Sequence, residues 1–325
     1  MTAIGYPGVV AVIIAAKNAR GTIDRAVRSA LAEMSVGEVV VVDDGSTDDT
    51  AAVARSADDG SGRLQVLHLP RNLGPAAARN RAIRASTSPY LTVLDADDYW
   101  LPGRLARLLV EIKDHDFVAD DLLRVYEGRE HEAPSPLVGG ALPLPLDLTL
   151  ADFALGNISR RGRSRQELGF LKPLMRRSFL QAHGLAYDES LRLGEDFVLY
   201  AQALARGARF RLIPACGYIA VERPESISGS HGAAELAALA TACRALTGEP
   251  GLGAKDRSAL AAHRRHVRFK LHFHRVLQVR RRSGMAPALG VMVADPLGAG
   301  YVLKEAFAAR IERFREKRAM AQAVY

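Results

Sequence analysis

Two strand-like segments of this chain end abruptly in carboxylates, and the spacing of these acids suits metal and phosphate chemistry. Tyr90–Leu94 is followed by Asp-Ala-Asp-Asp at 95–98, and Glu38–Val42 is followed by Asp43 and Asp44. Carboxylate oxygens are the ligands that Mg²⁺ and Mn²⁺ prefer, and the same ions bind diphosphate oxygens. The sequence therefore predicts a nucleotide-diphosphate site with Mg²⁺ or Mn²⁺ as cofactor.

Residues 9–125 alternate strand-like and helix-like segments, which predicts an α/β fold with a largely parallel sheet and helices on both faces. The strands are continuous apolar runs, as expected when both faces of a sheet are buried. The predicted strands are Val9–Ala15, Glu38–Val42, Leu64–Leu69, Tyr90–Leu94 and Phe117–Val125, and the predicted helices are Thr22–Glu33, a segment capped by Ser46 or Thr47 and ending at Ala57, Pro75–Ser86 and Pro102–Lys113.

Three polar clusters follow predicted strands directly. They are Ala16-Lys17-Asn18, the pair Asp43-Asp44, and the acids at 95–98. In open parallel sheets, ligands bind beyond the carboxyl ends of the strands. We therefore expect the three clusters to meet at one edge of the sheet, although they are distant in sequence.

Charge is unevenly distributed along the 325 residues. The whole chain carries a net charge of +8, whereas residues 255–325 contain 16 Lys or Arg and 5 Asp or Glu, a net of +11. A mildly acidic body thus carries a basic tail, which indicates an anionic partner, either a membrane surface or nucleic acid, or else a solvated helical face. Cys216 and Cys243 form neither a disulfide framework nor a zinc spacing.

The tail contains a long basic helix, predicted over Asp256–Arg282, which could lie on anionic lipid. Histidines 263, 266, 272 and 274 in this helix are expected to be solvated or lipid-facing. The N-terminus has no basic region typical of a signal peptide, so we expect a cytoplasmic protein, peripheral on the inner membrane. The predicted organisation is one domain over 1–245, with a nucleotide-binding half (8–125) and an acceptor half (126–245), followed by a basic helical extension over 255–325.

As an ordered set, these motifs resemble glycosyltransferase family 2, whose members have the GT-A fold. The resemblance covers about residues 8–230, and its opening segment also looks like the glucosyltransferases of succinoglycan-type exopolysaccharide assembly. It implies a Rossmann-like mixed, mostly parallel sheet flanked by helices. The matching pieces are Val12–Asn18, Val41–Asp48, Asn72-Leu73-Gly74, Ala78-Arg79-Asn80, Leu94–Asp98, Gly194-Glu195-Asp196, Tyr218 and Arg223–Ser228.

The resemblance implies an inverting, metal-dependent transfer of a sugar, glucose being expected, from a UDP-sugar to a polyprenyl-diphosphate-linked exopolysaccharide oligosaccharide. Asp44 would contact the base and ribose, and Asp196 would be the catalytic base. The segment Arg223–Ser228 would lie close to the diphosphate. The implied site is Asp196 and Glu195 for catalysis; Ala15, Lys17, Asn18, Asp43, Asp44, Gly74, Arg79, Asp95 and Ala96 for the donor nucleotide; and Asp97, Asp98 and His231 for the metal.

One departure from the family pattern favours a non-catalytic scaffold, while the acidic metal site and the basic tail leave two other classes of protein open. Lys17 stands where the family usually has an aromatic residue that stacks on the base. A lysine stem could cover the base, or its ammonium could reach a phosphate. The first alternative is a sugar-phosphate nucleotidyltransferase, although residues 16–21 match the Gly-rich phosphate loop of such enzymes poorly. The second is a non-catalytic scaffold in an exopolysaccharide complex. The third is a basic nucleic-acid-binding protein, although the sequence has no recognised nucleic-acid-binding motif.

Overall fold

The computed structural model describes residues 8–158, 166–223 and 232–304. Its strands form an eight-stranded main sheet and a four-stranded second sheet. The strands are β1 (Val10–Ala16), β2 (Val36–Asp44), β3 (Leu64–Leu69), β4 (Tyr90–Val93), β5 (Tyr99–Trp100), β6 (Phe117–Asp120), β7 (Leu123–Tyr126), β8 (Ser135–Pro136), β9 (Leu146–Leu148), β10 (Leu174–Arg176), β11 (Phe210–Ile213) and β12 (Tyr218–Glu222).

Helices flank the main sheet, as the predicted α/β fold requires. The helices are α1 (Ile23–Leu31), α2 (Thr50–Ser56), α3 (Pro75–Ala85), α4 (Arg104–Glu111), α5 (Leu150–Gly156), α6 (Arg177–Ala182), α7 (Glu195–Ala205), α8 (Ala233–Thr247), α9 (Ala254–Ser283) and α10 (Met285–Val293).

The main sheet has the order β3-β2-β1-β4-β10-β6-β11-β9, and the second sheet has the order β5-β12-β7-β8. Strands β3, β2, β1 and β4 are parallel neighbours, and β6 is parallel to β11. Strand β10 runs antiparallel between β4 and β6. Because of this reversal, the start of β10 lies at the carboxyl edge of its neighbours. The predicted mixed, largely parallel sheet is confirmed.

The central strands are buried on both faces, which explains their continuous apolar sequences. Ile13 and Ile14 of β1 and Val41 and Val42 of β2 have no exposed surface. The predicted strands and helices of residues 9–113 agree with the observed ones to within two residues, apart from the start of the second helix.

The prediction of one strand over Phe117–Val125 is wrong. Strand β6 ends at Asp120, and β7 begins at Leu123 in the other sheet. The two residues at the break are buried acids: Asp120 accepts a hydrogen bond from the amide of Tyr218, and Asp121 accepts one from the amide of Val138. The chain turns there because these carboxylates bind backbone groups of other segments.

The predicted cap of the second helix is also wrong. Helix α2 begins at Thr50. The amide of Thr50 donates a hydrogen bond to the carboxylate of Asp48 rather than to Ser46 or Thr47. Ser46 accepts a hydrogen bond from the amide of Asn18 instead, and the amide of Thr47 donates to the Asn18 side chain. These hydroxyl residues therefore join two loops at the edge of the sheet.

The first half of α9 packs into the main core against α5 and α8. The predicted solvent or lipid exposure is therefore wrong for His263, which is buried and stacks on Phe197 with ring centroids 3.9 Å apart. Its helical neighbours Leu260 and Val267 are buried in the same core. Among the helices of the described residues, none is both long and apolar enough to cross a membrane.

Candidate active site

Carboxylates from two distant parts of the chain meet around one buried arginine, Arg79 of α3. Its Nη2 lies 2.9 Å from Oδ1 of Asp95, which follows β4. Its Nη1 lies 2.8 Å from Oε1 of Glu195 and 3.1 Å from Oδ1 of Asp196, at the start of α7. The structure thus brings the donor-side acid Asp95 and the predicted catalytic pair into one cluster.

A second buried cation, Lys172, completes this cluster. Its Nζ lies 2.7 Å from Oδ2 of Asp196 and 3.1 Å from Oδ2 of Asp95, and its side chain is 4% exposed. Burial disfavours its charged form, but Asp196 and Asp95 outweigh that effect and raise the pKa of Lys172 above its usual value. Sequence reasoning missed Lys172. The one feature of the sequence that could have indicated it is the position of this charged residue between the apolar runs at 168–171 and 174–175.

The cluster holds three carboxylates and two cations, so nearly all its charge is compensated internally. Burial works against the ionised form of Asp95, but Lys172 and Arg79 lower the pKa of that carboxyl. Asp196 has one oxygen directed to Arg79 and the other to Lys172. It also stands in the first turn of α7, where the helix dipole favours a negative charge. The arrangement holds this carboxylate in a fixed direction.

Asp97 and Asp98 occupy different environments. Asp98 is buried, and its two oxygens accept hydrogen bonds from the Tyr218 hydroxyl and the Val221 amide, both at 2.9 Å. Burial, followed by the charges of Asp95 and Asp97, raises the pKa of Asp98 well above its usual range. The Asp97 side chain is 43% exposed, and Nη1 of Arg223 lies 4.0 Å from its Oδ2. Asp97 therefore has the most exposed side chain of the three acids, followed by Asp95 at 33%.

A partly exposed carboxylate such as that of Asp97 fits Mg²⁺ in a diphosphate site, because that ion is commonly bound by one or two carboxylates together with phosphate oxygens and water. Consistent with this, no group of three or more His, Cys, Asp or Glu within the described residues could hold a metal ion unaided. Asp97 could share a metal ion with diphosphate oxygens. Both oxygens of Asp98 are instead used in hydrogen bonds to Tyr218 and Val221, which hold strand β12 in place. His231 and residues 224–228 lie outside the described residues.

The predicted nucleotide-side acids Asp43 and Asp44 are buried at the end of β2. Asp44 accepts hydrogen bonds from the amides of Leu73 (2.6 Å) and Gly74 (2.8 Å), which fixes the loop before α3. Asp43 accepts one from the amide of Ser46, and its second oxygen lies 3.1 Å from Nδ1 of His68. Their observed contacts therefore shape the loops of the edge.

The loop after β1 completes the same edge. Asn18 has a positive φ of 49°, and its hydrogen bonds to Ser46 and Thr47 join this loop to the loop after β2. Lys17 is exposed, whereas Ala15 is half-buried. Ala96, between the acids of the other strand end, is 8% exposed. The three polar clusters expected to share one edge all follow neighbouring parallel strands.

A fully buried ion pair supports the cluster from behind. Arg104 Nη2 lies 2.8 Å from Oδ1 of Asp120, and neither side chain is exposed. The same nitrogen donates to the carbonyl of Lys172 at 2.7 Å, while Oδ2 of Asp120 accepts from the amide of Tyr218. The pair therefore fixes the backbone at Lys172 and at Tyr218, two residues whose side chains reach the acids at 95–98. Sequence reasoning missed Arg104 and Asp120 as well.

Comparison with known proteins adds independent information. The model of the family described as "Glycosyl transferase family 2" matches residues 11–176. The succinoglycan biosynthesis protein ExoU of Rhizobium meliloti (strain 1021) is 48% identical over 309 residues, which cover 95% of this chain and 90% of that protein.

Two solved structures share the fold at low sequence identity. The S. aureus protein TarS (residues 1–349), in complex with UDP-GlcNAc, has a TM-score of 0.65 and 21% identity, covering 87% of this chain and 80% of that one. The mannosyltransferase PcManGT from Pyrobaculum calidifontis, in complex with GDP-Man and Mn²⁺, has a TM-score of 0.57 and 18% identity, covering 97% and 84%. With the family match, these findings show that the chain belongs to glycosyl transferase family 2 and is a glycosyltransferase.

Proposed function

We propose that this enzyme transfers a sugar, glucose being expected, from a UDP-sugar to a growing succinoglycan-type oligosaccharide that is linked to polyprenyl diphosphate, with inversion at the anomeric carbon. The observation that carries the proposal is the shared anchoring of Asp95 and Asp196 by Arg79 and Lys172. The similarity to a succinoglycan biosynthesis protein supports this choice of acceptor class. We place the reaction in the cytoplasm, at the inner membrane.

Asp196 is the proposed catalytic base. It takes the proton of the acceptor hydroxyl as that oxygen bonds to the anomeric carbon, while the bond from that carbon to the UDP oxygen breaks and its electron pair leaves with UDP. Arg79 and Lys172 fix the direction of the Asp196 carboxylate. Glu195, which shares Arg79, supports this orientation.

On the donor side, Asp97 would hold Mg²⁺ or Mn²⁺ jointly with diphosphate oxygens. A metal bound there supplies positive charge that stabilises the departing diphosphate. Arg223, close to Asp97, adds a cation of the chain itself on the same side. The loops anchored by Asp43 and Asp44 would receive the base and ribose, and exposed Lys17 would cover the base or reach a phosphate.

The role of Asp196 is tested by Asp196→Asn, which keeps the shape but removes the basic oxygen. We expect turnover with a UDP-sugar to fall by about 10² to 10⁴-fold, while UDP binding measured by calorimetry stays nearly unchanged. The matched control is Asp152→Asn, because Asp152 also stands in the first turn of a helix but is exposed. Turnover of Asp196→Asn equal to that of the control would remove Asp196 from the mechanism.

The donor is tested by thermal unfolding with UDP, GDP, dTDP or CMP, each with and without Mn²⁺. A ligand at about 100 times its Kd should add roughly 2.7 kcal/mol of stability. A metal-dependent shift with UDP alone supports the proposed donor, whereas a shift with GDP or dTDP keeps the mechanism and replaces the donor. The absence of any shift, together with the absence of donor hydrolysis, would favour the scaffold alternative.

A further inference from the structure

Helix α10 carries apolar side chains on two faces, of which one is packed. On the packed face, Ala288 contacts the core formed with Val276 of α9. On the other face, Met285, Leu289 and Val293 are 61%, 49% and 67% exposed. Residues spaced by four lie in one line along a helix, so these side chains form a continuous apolar strip.

A further apolar side chain is exposed just after α10. Leu297 lies in the helical segment that follows the turn at Ala294 and Asp295, and it is 73% exposed. We call these four residues, Met285, Leu289, Val293 and Leu297, the α10 face. An exposed apolar surface of this kind usually marks an interaction site.

Positive charge borders the α10 face on its N-terminal side. Arg280, Arg281 and Arg282 form the last turn of α9 and are all exposed. Residues 283–294, by contrast, include no charged side chain. Residues 255–304 contain eleven Lys or Arg and two Asp. The surface therefore combines an apolar centre with a cationic border.

An apolar centre with a cationic border favours one kind of partner for the α10 face over another. A second copy packed in parallel would bring the two arginine clusters together, and one packed antiparallel would leave both clusters without an anionic partner. An anionic lipid surface instead accepts apolar side chains below its head groups and binds the arginines at them. A helix of nine residues is roughly 14 Å long, too short for a hydrocarbon core of about 30 Å, so it would lie in the plane of the interface.

We propose that the α10 face and Arg280–Arg282 dock the enzyme on an anionic lipid bilayer. The surface keeps the arginines at the end of the basic helix that the sequence predicted to lie on lipid, but it excludes the first half of that helix, because Leu260, His263 and Val267 are buried in the main core. The inference does not depend on the proposed donor or acceptor, since vesicle binding is measured without either of them.

The test is flotation of the full-length protein with vesicles of phosphatidylcholine and phosphatidylglycerol in equal amounts, and with phosphatidylcholine alone. We expect the protein to float with the anionic vesicles at low salt, and less so as salt screens the arginines. Replacing the arginines by Arg280→Gln, Arg281→Gln and Arg282→Gln should reduce binding about 100-fold, because each basic residue contributes roughly fivefold near an anionic surface.

The apolar contribution is tested by Val293→Asp with Leu297→Asp, which should weaken binding at least about tenfold. The matched control is Met34→Asp with Val110→Asp, because these side chains are similarly exposed, at 75% and 55%, on other parts of the surface. The control should float like the unmodified protein, and circular dichroism should confirm that both variants are folded.

Three results would overturn the proposal. The first is a protein that stays unbound with anionic vesicles at low salt. The second is an equal loss of binding in the control variant. The third is a dimer, seen in sedimentation velocity, that Val293→Asp with Leu297→Asp abolishes, because a second copy would then cover the α10 face. Turnover with a water-soluble acceptor reports separately on the proposed function.

Discussion

The buried contact between Lys172 and Asp196 should be strongly coupled in the free energy of unfolding. Lys172→Met leaves Asp196 and Asp95 without a cation that now lies 2.7 and 3.1 Å away. Removing one partner of a buried ion pair costs about 3–5 kcal/mol. Arg79 remains beside both acids, and Asp95 is 33% exposed, so we expect the lower end of that range.

The measurement is a double-mutant cycle in urea at pH 7, with Lys172→Met, Asp196→Asn and the double variant. In Asp196→Asn, position 196 carries no charge. The loss of Lys172 in that background therefore removes a cation from Asp95 alone. The double variant should therefore be more stable than the sum of the single effects predicts, by at least about 1 kcal/mol.

A second cycle on the surface provides the control. Arg28 and Asp24 are 2.8 Å apart, close to the 2.7 Å between Lys172 and Asp196, but their side chains are 57% and 45% exposed. Their coupling in Arg28→Met with Asp24→Asn should not exceed about 0.5 kcal/mol, because water screens exposed pairs. Equal coupling in the two cycles would refute the argument that burial gives the Lys172 contact its strength.

Two further predictions concern residues that hold the sheet edge and a neighbouring turn. Burial opposes ionisation of Glu38, but hydrogen bonds from Ser88 and Thr87 lower its pKa below 4.5. The ionised carboxylate therefore stabilises the folded protein above that pH. This stabilisation is lost as the pH falls through the folded-state pKa. Glu38→Gln should therefore cost about 1–2 kcal/mol in urea unfolding at pH 7 and clearly less at pH 4, and an equal cost at both pH values would contradict this assignment. Gly45 has a φ of +67°, and a Cβ there would lie 2.6 Å from the carbonyl carbon of Arg71. Gly45→Ala should cost about 2 kcal/mol or more and weaken nucleotide binding, whereas Gly60→Ala, with positive φ but open space, should cost about 1 kcal/mol; similar losses in both variants would show that the close approach is unimportant.

The strands of the nucleotide half could be predicted from the sequence because burial on both faces leaves a simple apolar signal. Strand β3 has the predicted bounds, and β1 differs by one residue at each end. The strand predicted over Phe117–Val125 failed because apolar residues on both sides hid the break. The pair Asp120-Asp121 in its middle was the available signal, since two adjacent acids rarely continue a buried strand.

The carboxylates of the site could also be predicted, whereas its cations could be predicted only in part. Arg79 was placed near the donor from a family motif. Lys172 is separated from its partners Asp95 and Asp196 by 77 and 24 residues, and no local pattern marks such a contact. For His263, in contrast, a local pattern was present. Its spacing from Leu260 and Val267 places it on their buried helical face, but the arginines next to it in sequence favoured a prediction of solvent exposure.

Strand β10 determines where the main sheet can bend. It has three residues, and two register pairs join it to each of β4 and β6, whereas β1 and β2 share seven. Stiffness across a sheet depends on the number of interstrand contacts, so the main sheet resists bending less on either side of β10 than between β1 and β2. The charge cluster of Arg79 and Lys172 spans this same seam. Bending at this seam would therefore stretch the contacts of Arg79 and Lys172 with Asp95 and Asp196, so these ion pairs oppose it.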